Sequence, residues 1–290
     1  MQVISLNAQK LNTLSQQAPV VLALGFFDGV HQGHQQVIQT AKRLADERHL
    51  PLAVMTFNRH ASRLFQPDAP FRYLNTLDQK TAHMAENKVN LLYVADFNRQ
   101  LAGLMPTAFI DQYLLKLNAQ VVVAGFDYTF GRGGSHGMAD LDHLSAGRFE
   151  VVTVNQLTER REKVSSTRIR HLIGHGEIKA ANALLGYDYE IAGQLMVTGN
   201  RLVVTPDSPL QQLPAAGRYF CVVRDAQLRE PAVVTVEENG RLTVMLSGIE
   251  PQQNAPVAVT ITWTQQLSVD TAELVLPGQS FKNESLSSCL

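Results

Sequence analysis

The sequence predicts an α/β fold in two parts: a doubly wound domain built on a parallel sheet over residues 1–186, followed by a small antiparallel β-barrel over residues 187–290. Three observations carry this. Short, unbroken apolar runs such as VVLAL (20–24) and QVVVAG (120–125) read as strands buried on both faces, the mark of a parallel sheet. These runs alternate with stretches of helical periodicity as far as Leu185. After Gly186 the helical spacing stops, and short β-rich runs separated by turn residues take over.

The elements follow in order. The strand at 20–24 breaks at Gly25, Gly29 and Gly33, and beyond the turn Val37, Ile38, Ala41, Leu44 and Ala45 recur at helical spacing. Strands are then expected at 51–57, 90–95, 120–125 and 149–154. Helices are expected at 76–87, at 107–117 after Pro106, at 140–146 and at 165–173, with 177–185 as the helical junction to the second part. The barrel strands are expected at 189–197, 201–205, 219–223, 232–236, 242–246 and 257–263, with Gly199-Asn200 and Asn239-Gly240 as turn signals. In such a doubly wound sheet, ligands sit beyond the carboxyl ends of the strands.

Composition narrows the function. With 290 residues and 45% hydrophobic content the chain can bury two cores, and a formal net charge of −1 argues against a nucleic-acid-coating or membrane-surface protein. No apolar run approaches a membrane span, and the opening MQVISLNAQK lacks the pattern of a signal peptide, so a cytoplasmic location is expected. Cys221 and Cys289 are few and distant, which predicts neither a disulfide framework nor a zinc site.

Three stretches carry chemistry. In the first, GFFDGVHQGH, a strand exits through glycines into a helix start that carries His31 and His34. Unpaired N–H groups there favour a phosphate, glycines permit close approach, and each imidazole can donate to a phosphoryl oxygen. Alone, either histidine reads more readily as an ordinary surface or capping residue, or as one of two metal ligands; the strand and glycines around them reverse that and favour the phosphate. In the second, Gly125-Phe126-Asp127-Tyr128-Thr129-Phe130-Gly131 leads into Arg132-Gly133-Gly134, so a glycine cluster meets flat aromatic surface. The competing reading is a glycine loop with its aromatics tucked into the core. In the third, Val164-Ser165-Ser166-Thr167-Arg168-Ile169-Arg170, hydroxyls and guanidinium groups gather at a helix start. Arg170 shares a face with Ser166 and Thr167, whereas Arg168 points elsewhere. A capped helix with solvated arginines is the alternative. The region of Phe71, Arg72, Tyr73, Leu74 and Lys80 reads as a solvated basic face.

HQGH resembles the HxGH signature of the nucleotidyltransferases, and the whole string GFFDGVHQGH is similar to the opening motif of bacterial FMN adenylyltransferases of the riboflavin kinase/FAD synthetase family. GFDYTFG and VSSTRIR are similar to that family's second and third motifs. The resemblance implies a Rossmann-like nucleotidyltransferase domain that joins FMN to the AMP part of ATP, with Mg²⁺ accompanying ATP and no protein metal cage. It implies catalytic roles for His31, His34, Ser166, Thr167 and Arg170. Substrate or nucleotide contacts are implied for Gly25, Phe26, Phe27, Asp28, Gly29, Gly33, Phe57, His60, Gly125, Asp127, Phe130 and Arg168. Of these, Phe57 reads as a core ring rather than a flavin contact, and Asp127 as a hydrogen-bond acceptor for a sugar or base rather than a catalytic base. The family often has a TF-x-PHP segment where this chain reads Thr56-Phe57-Asn58-Arg59-His60-Ala61, so both prolines are missing.

In bifunctional relatives the barrel is riboflavin kinase. Here the segment from Thr198 to Asp207 lacks the kinase's second glycine and PTAN asparagine, and the strand at 242–246 has no glutamate. A kinase needs a base and a phosphate loop, so the expectation is an FAD synthetase with a silent kinase-like barrel. The alternatives are a bifunctional enzyme, a transferase acting on another phosphate acceptor, and a non-enzymatic flavin-binding regulator.

Overall fold

The computed structural model describes residues 1–13, 17–68, 70–159, 162–199, 201–227, 229–246 and 255–267. The chain forms two compact units. Among the described residues, the first comprises those within Met1–Gly174, Ala180–Asp188 and Ser208–Gln212, and the second those within His175–Lys179, Tyr189–Asp207 and 213–267. The polar tail from Ser268, including Cys289, and Asn200 of the first turn signal lie outside the described residues.

In the first unit β1 (Gln2–Leu6) and α1 (Ala8–Thr13) precede β2 (Val20–Leu24), which leads through the first motif into α2 (Gln32–Glu47). Next come β3 (Leu52–Phe57), α3 (Ala61–Phe65), α4 (Leu77–Glu86), β4 (Leu91–Ala95) and α5 (Arg99–Ala102). The helix expected at 107–117 is composite: α6 (Pro106–Phe109) runs into a π-helical stretch, Ile110–Leu115, whose wider turns keep Ile110, Tyr113 and Leu114 buried. β5 (Ala119–Gly125), α7 (Met138–Ser145), β6 (Glu150–Val154), the short pair β7 (Thr158–Glu159) and β8 (Glu162–Lys163), α8 (Ser166–Gly174) and α9 (Ile178–Leu185) follow.

The sheet order is β1-β4-β3-β2-β5-β6, with every pair parallel. Its buried strands divide their side chains between two cores. Val20, Leu22 and Leu24 pack on one face with Met55, Tyr93 and Phe109, while Val21 and Ala23 pack on the other with Ile38, Ala41 and Val54. The strand order reverses direction between β2 and β5, which leaves a crevice outside their carboxyl ends. The first and second motifs leave the sheet there. β1 escaped the sequence reading because an edge strand with mostly exposed side chains, QVISL, has no buried run to betray it.

The second unit is a closed antiparallel barrel of six strands: β9 (Glu190–Thr198), β10 (Arg201–Pro206), β11 (Gly217–Arg224), β12 (Arg229–Val236), β13 (Leu242–Leu246) and β14 (Val257–Gln266). Closure comes from β9 pairing with both β10 and β14. Trp263 and Tyr219 are fully buried and meet edge-to-face at 5.3 Å. Burial pushes the Cys221 thiol far up, so it is an inert packing group. Among the described residues no helix is long and apolar enough to cross a membrane.

Candidate active site

A cleft of about 800 Å³ opens at the β2/β5 crevice, lined by residues of all three motifs. Its floor is the turn from Gly25 to His34, held in an unusual conformation. Phe27 (φ 54°) and Val30 (φ 35°) both lie in the left-handed region although neither is glycine, and both are buried. A β-branched residue there costs on the order of 1–3 kcal/mol, so the surroundings must hold it. Gly25 is required by space, since a Cβ would lie 2.7 Å from the Phe27 ring.

His31 caps α2: its Nδ1 accepts the His34 N–H at 3.3 Å. That bond leaves the proton of the neutral ring on Nε2, available as a donor. The rings of His31 and His34 stack at 3.6 Å, and His34 meets the Phe27 ring edge-on at 5.3 Å. Burial lowers the pKa of His31 from 6.5 to about 4, against the pull of Asp127. His34 is held well below 6.5, first by burial, then by its coupling to the adjacent His31 ring and by the positive charges of Lys80 and Lys163. Both are neutral donors at pH 7, and His34 Nδ1 is buried with no hydrogen-bond partner.

Asp28 is the hub. Only 2% exposed, it accepts the Leu74 N–H (3.0 Å) and the Asn75 N–H (3.4 Å) on Oδ1 and the Arg170 guanidinium (2.9 Å) on Oδ2. Its carbonyl accepts the Ser166 hydroxyl at 2.8 Å. One residue of the first motif therefore fixes two of the third. Ser165 Oγ accepts the Arg168 N–H at 3.3 Å in the manner of an N-cap. Arg170 also lies over the Phe71 ring at 4.6 Å, and its Nε is buried without a partner. Arg168 turns away to Glu162 at 2.8 Å, as the helical spacing predicts.

The aromatic wall centres on His60, which caps α3 by accepting the Ser62 N–H on Nδ1 (3.2 Å) and stacks on Phe71 at 4.3 Å and 7°. Phe26 meets it edge-on at 5.1 Å. Burial, and next the Arg170 charge, lower the His60 pKa. The loop thus has a defined conformation without its two missing prolines, because His60 supplies the cap. Phe57 packs partly into the core and meets Phe97 at 5.5 Å, yet also borders the cleft. At the β5 side Phe130 is buried in the core but reaches the cleft, and Asp127 forms an exposed pair with Lys163, whose ammonium lies over Phe126 at 5.0 Å.

Of the residues singled out in the sequence, Gly25, Phe26, Phe27, Asp28, His31, Gly33 and His34 line the cleft. Phe57, His60, Gly125, Asp127, Phe130, Ser166, Thr167 and Arg170 line it too. Gly29 and Arg168 do not. Gly29 serves the turn, with φ of 81° and space for a Cβ blocked by Leu74 at 2.6 Å.

The solvated basic face expected around Phe71–Lys80 is overturned. Phe71 lines the cleft, Leu74 is fully buried, and Lys80 is 4% exposed. Lys80 Nζ donates to the Phe26 carbonyl (2.7 Å), reaches Thr56 Oγ1 at 3.4 Å and lies over the Phe26 ring at 4.1 Å. Burial lowers its pKa from 10.5 to about 8, with Asp28 opposing. The missed signal was helical spacing: Lys80 and Met84, four apart, form the buried stripe of α4.

A family model described as FAD synthetase matches residues 13–168, more than half of the chain. The chain belongs to the FAD synthetase family. A protein of Listeria monocytogenes named bifunctional riboflavin kinase/FMN adenylyltransferase is 45% identical over 177 residues, covering 61% of this FAD synthetase family member and 56% of the relative. A Bacillus subtilis protein of the same name is 42% identical, with 59% of its length covered, so the match spans less than two thirds of these relatives. A second Listeria monocytogenes protein, named FAD synthetase, is 29% identical over 78% of this chain and 87% of its own length. Among solved structures, one titled macrolide-efflux protein from Streptococcus pneumoniae superposes with a TM-score of 0.83 at 29% identity, covering 92% of this chain and all of that one.

Proposed function

We propose that the protein transfers the adenylyl group of ATP to FMN, forming FAD and pyrophosphate, without phosphorylating riboflavin. The observation that carries this reading is the link from Asp28 to Arg170 and Ser166, which ties a histidine-bearing helix start to an arginine-bearing one across a single cleft. Two opposed donor walls suit a triphosphate.

In this reading an FMN phosphate oxygen attacks the α-phosphorus in line, the bond to the bridging oxygen breaks, and pyrophosphate leaves with those electrons. The FMN phosphate is already ionised near neutral pH and needs no base. His31, His34, Thr167, Arg170 and the N–H groups opening α8 align the phosphates and stabilise the charge that builds up. Ser166 supports the framework through the Asp28 carbonyl. The aromatic wall of Phe26, His60 and Phe71 offers flat surface for a ring system. Mg²⁺ belongs to this reading as a companion of the ATP phosphates that keeps much of its water. In this reading the ATP phosphates and water would supply most of its ligands.

The silent-barrel part of the reading is supported by β9 turning directly into β10, with Thr198 paired to Arg201, where a phosphate-binding loop would need more chain. β13, LTVML, carries no carboxylate to act as base. The test supplies the purified chain with Mg-ATP and either FMN or riboflavin. FAD and pyrophosphate are expected from FMN, and no FMN from riboflavin; flavin binding without turnover would replace the enzyme with a sensor, and FMN made from riboflavin would make the barrel a kinase.

A further inference from the structure

The connection between β10 and β11 contains a short segment, Ser208–Gln212, that groups with the first unit and not with the barrel strands it joins. It lies along the segment Phe71–Asn75 as a miniature parallel ladder. The Tyr73 N–H donates to the Leu210 carbonyl and the Gln212 N–H to the Tyr73 carbonyl, both at 2.8 Å, while Gln211 pairs with Tyr73 as an isolated bridge. Arg72 donates to the Pro209 carbonyl at 2.7 Å. Gln211, 2% exposed, donates from Nε2 to the Leu74 carbonyl (3.1 Å) and to Gln79 Oε1 (2.9 Å), the residue that closes the capping box of α4 with Thr76.

What this ladder holds is half of the site. Phe71 stacks on His60 and lies under Arg170, and the two amides that follow Tyr73, of Leu74 and Asn75, hold the Asp28 carboxylate. A loop that presents an aromatic face and two aimed N–H groups needs an ordered backbone, and its own sequence, FRYLN, forms no helix or extended strand of its own. We propose that Ser208–Gln212 is a positioning strap for the adenylyl-transfer site, with Gln211 its main positioning residue. The chain that runs through the barrel thereby contributes to the reaction without any barrel chemistry. Its catalytic consequence rests on the adenylyl-transfer reading; its structural content does not.

Gln211→Met keeps the length of the side chain and removes its amide. Hydrogen exchange of the full chain without substrates should show the Leu74 and Asn75 amides opening about tenfold faster, the scale of one lost buried hydrogen bond, with the Val121–Val123 amides of β5 unchanged. With FMN and Mg-ATP, kcat/KM should fall about tenfold, and the fall should shrink in a Phe71→Leu background, where the strap has less to position. A purely structural role would instead speed exchange throughout the first unit and leave the two substitutions additive. Should Gln211→Met fail to fold, Arg72→Met, at an exposed residue, removes the bond to Pro209 and should show the same local signature to a smaller degree. Unchanged exchange at Leu74 and Asn75 would overturn the strap. A wild-type chain that makes no FAD would overturn the adenylyl-transfer reading instead, while the exchange experiment still decides the strap.

Discussion

Arg170 reaches the carboxylate of Asp28 at 2.9 Å across 142 positions of sequence, and the acceptor is only 2% exposed. With Ser166 donating to the carbonyl of the same aspartate, the third motif hangs from the first. Asp28→Asn keeps an acceptor for the Leu74 and Asn75 amides but takes the charge from Arg170. It should lower kcat about 100-fold and stability by about 1–3 kcal/mol, measured by FAD formation and by urea denaturation.

Acid should weaken the fold through His31. Its pKa falls from 6.5 unfolded to about 4 folded, so between those values the unfolded chain binds the extra proton. Stability should therefore drop as pH falls from 6.5 towards 4, by up to about 1.4 kcal/mol per pH unit from this residue. Denaturation curves of His31→Ala at pH 7, 6 and 5 should show a shallower decline than the wild type.

His34→Ala should leave the melting temperature nearly unchanged and reduce FAD formation about 100-fold, the scale of losing one donor aimed at developing charge. Steady-state kinetics at pH 7 decide it. Because burial holds both imidazoles neutral, activity should not require a protonated histidine and should stay level between pH 6.5 and 7.5.

Lys80 presents the opposite balance of stability and activity. Its buried ammonium is costly, and with a folded pKa of about 8 against 10.5 unfolded, stability should rise with pH between those values. Lys80→Met should hold or raise the melting temperature at pH 7, since Thr56 still donates to the Phe26 carbonyl at 2.8 Å. FAD formation should nonetheless fall about tenfold as the Phe26 ring loses its cation and the turn its second anchor.

Gly25→Ala places a methyl group 2.7 Å from the Phe27 ring, which must shift and so disturb its edge-on contact with His34. The expected cost is about 1–3 kcal/mol of stability, with a larger proportional loss of turnover. A denaturation midpoint and a kcat for the variant test both halves.

The buried grammar of the chain was readable in advance where burial is uniform or periodic. Val20–Leu24 is buried at every position, and the five apolar residues picked from α2 are its five buried ones. The three motifs were legible together because glycines, hydroxyls and histidines gather at strand exits and helix starts, where unpaired N–H groups favour a phosphate. What stayed hidden depends on partners far away in sequence. Lys80 is buried because a carbonyl 54 positions earlier receives it, and His60 is a cap because of how its loop turns. Asp28, expected to touch ligand, spends its carboxylate on Leu74, Asn75 and Arg170, which only the folded chain brings within reach.

The out-of-order make-up of the first unit also bears on how it forms during synthesis. By the time α9 leaves the ribosome, the sheet and all three motifs are available, yet Tyr73 must wait for Leu210 and Gln212 before its backbone is paired. At the usual pace of translation this leaves a nascent domain with an unzipped edge for about one to several seconds. A chaperone or protease meeting the chain in that interval would find Phe71 and its neighbours the least protected part of an otherwise finished domain.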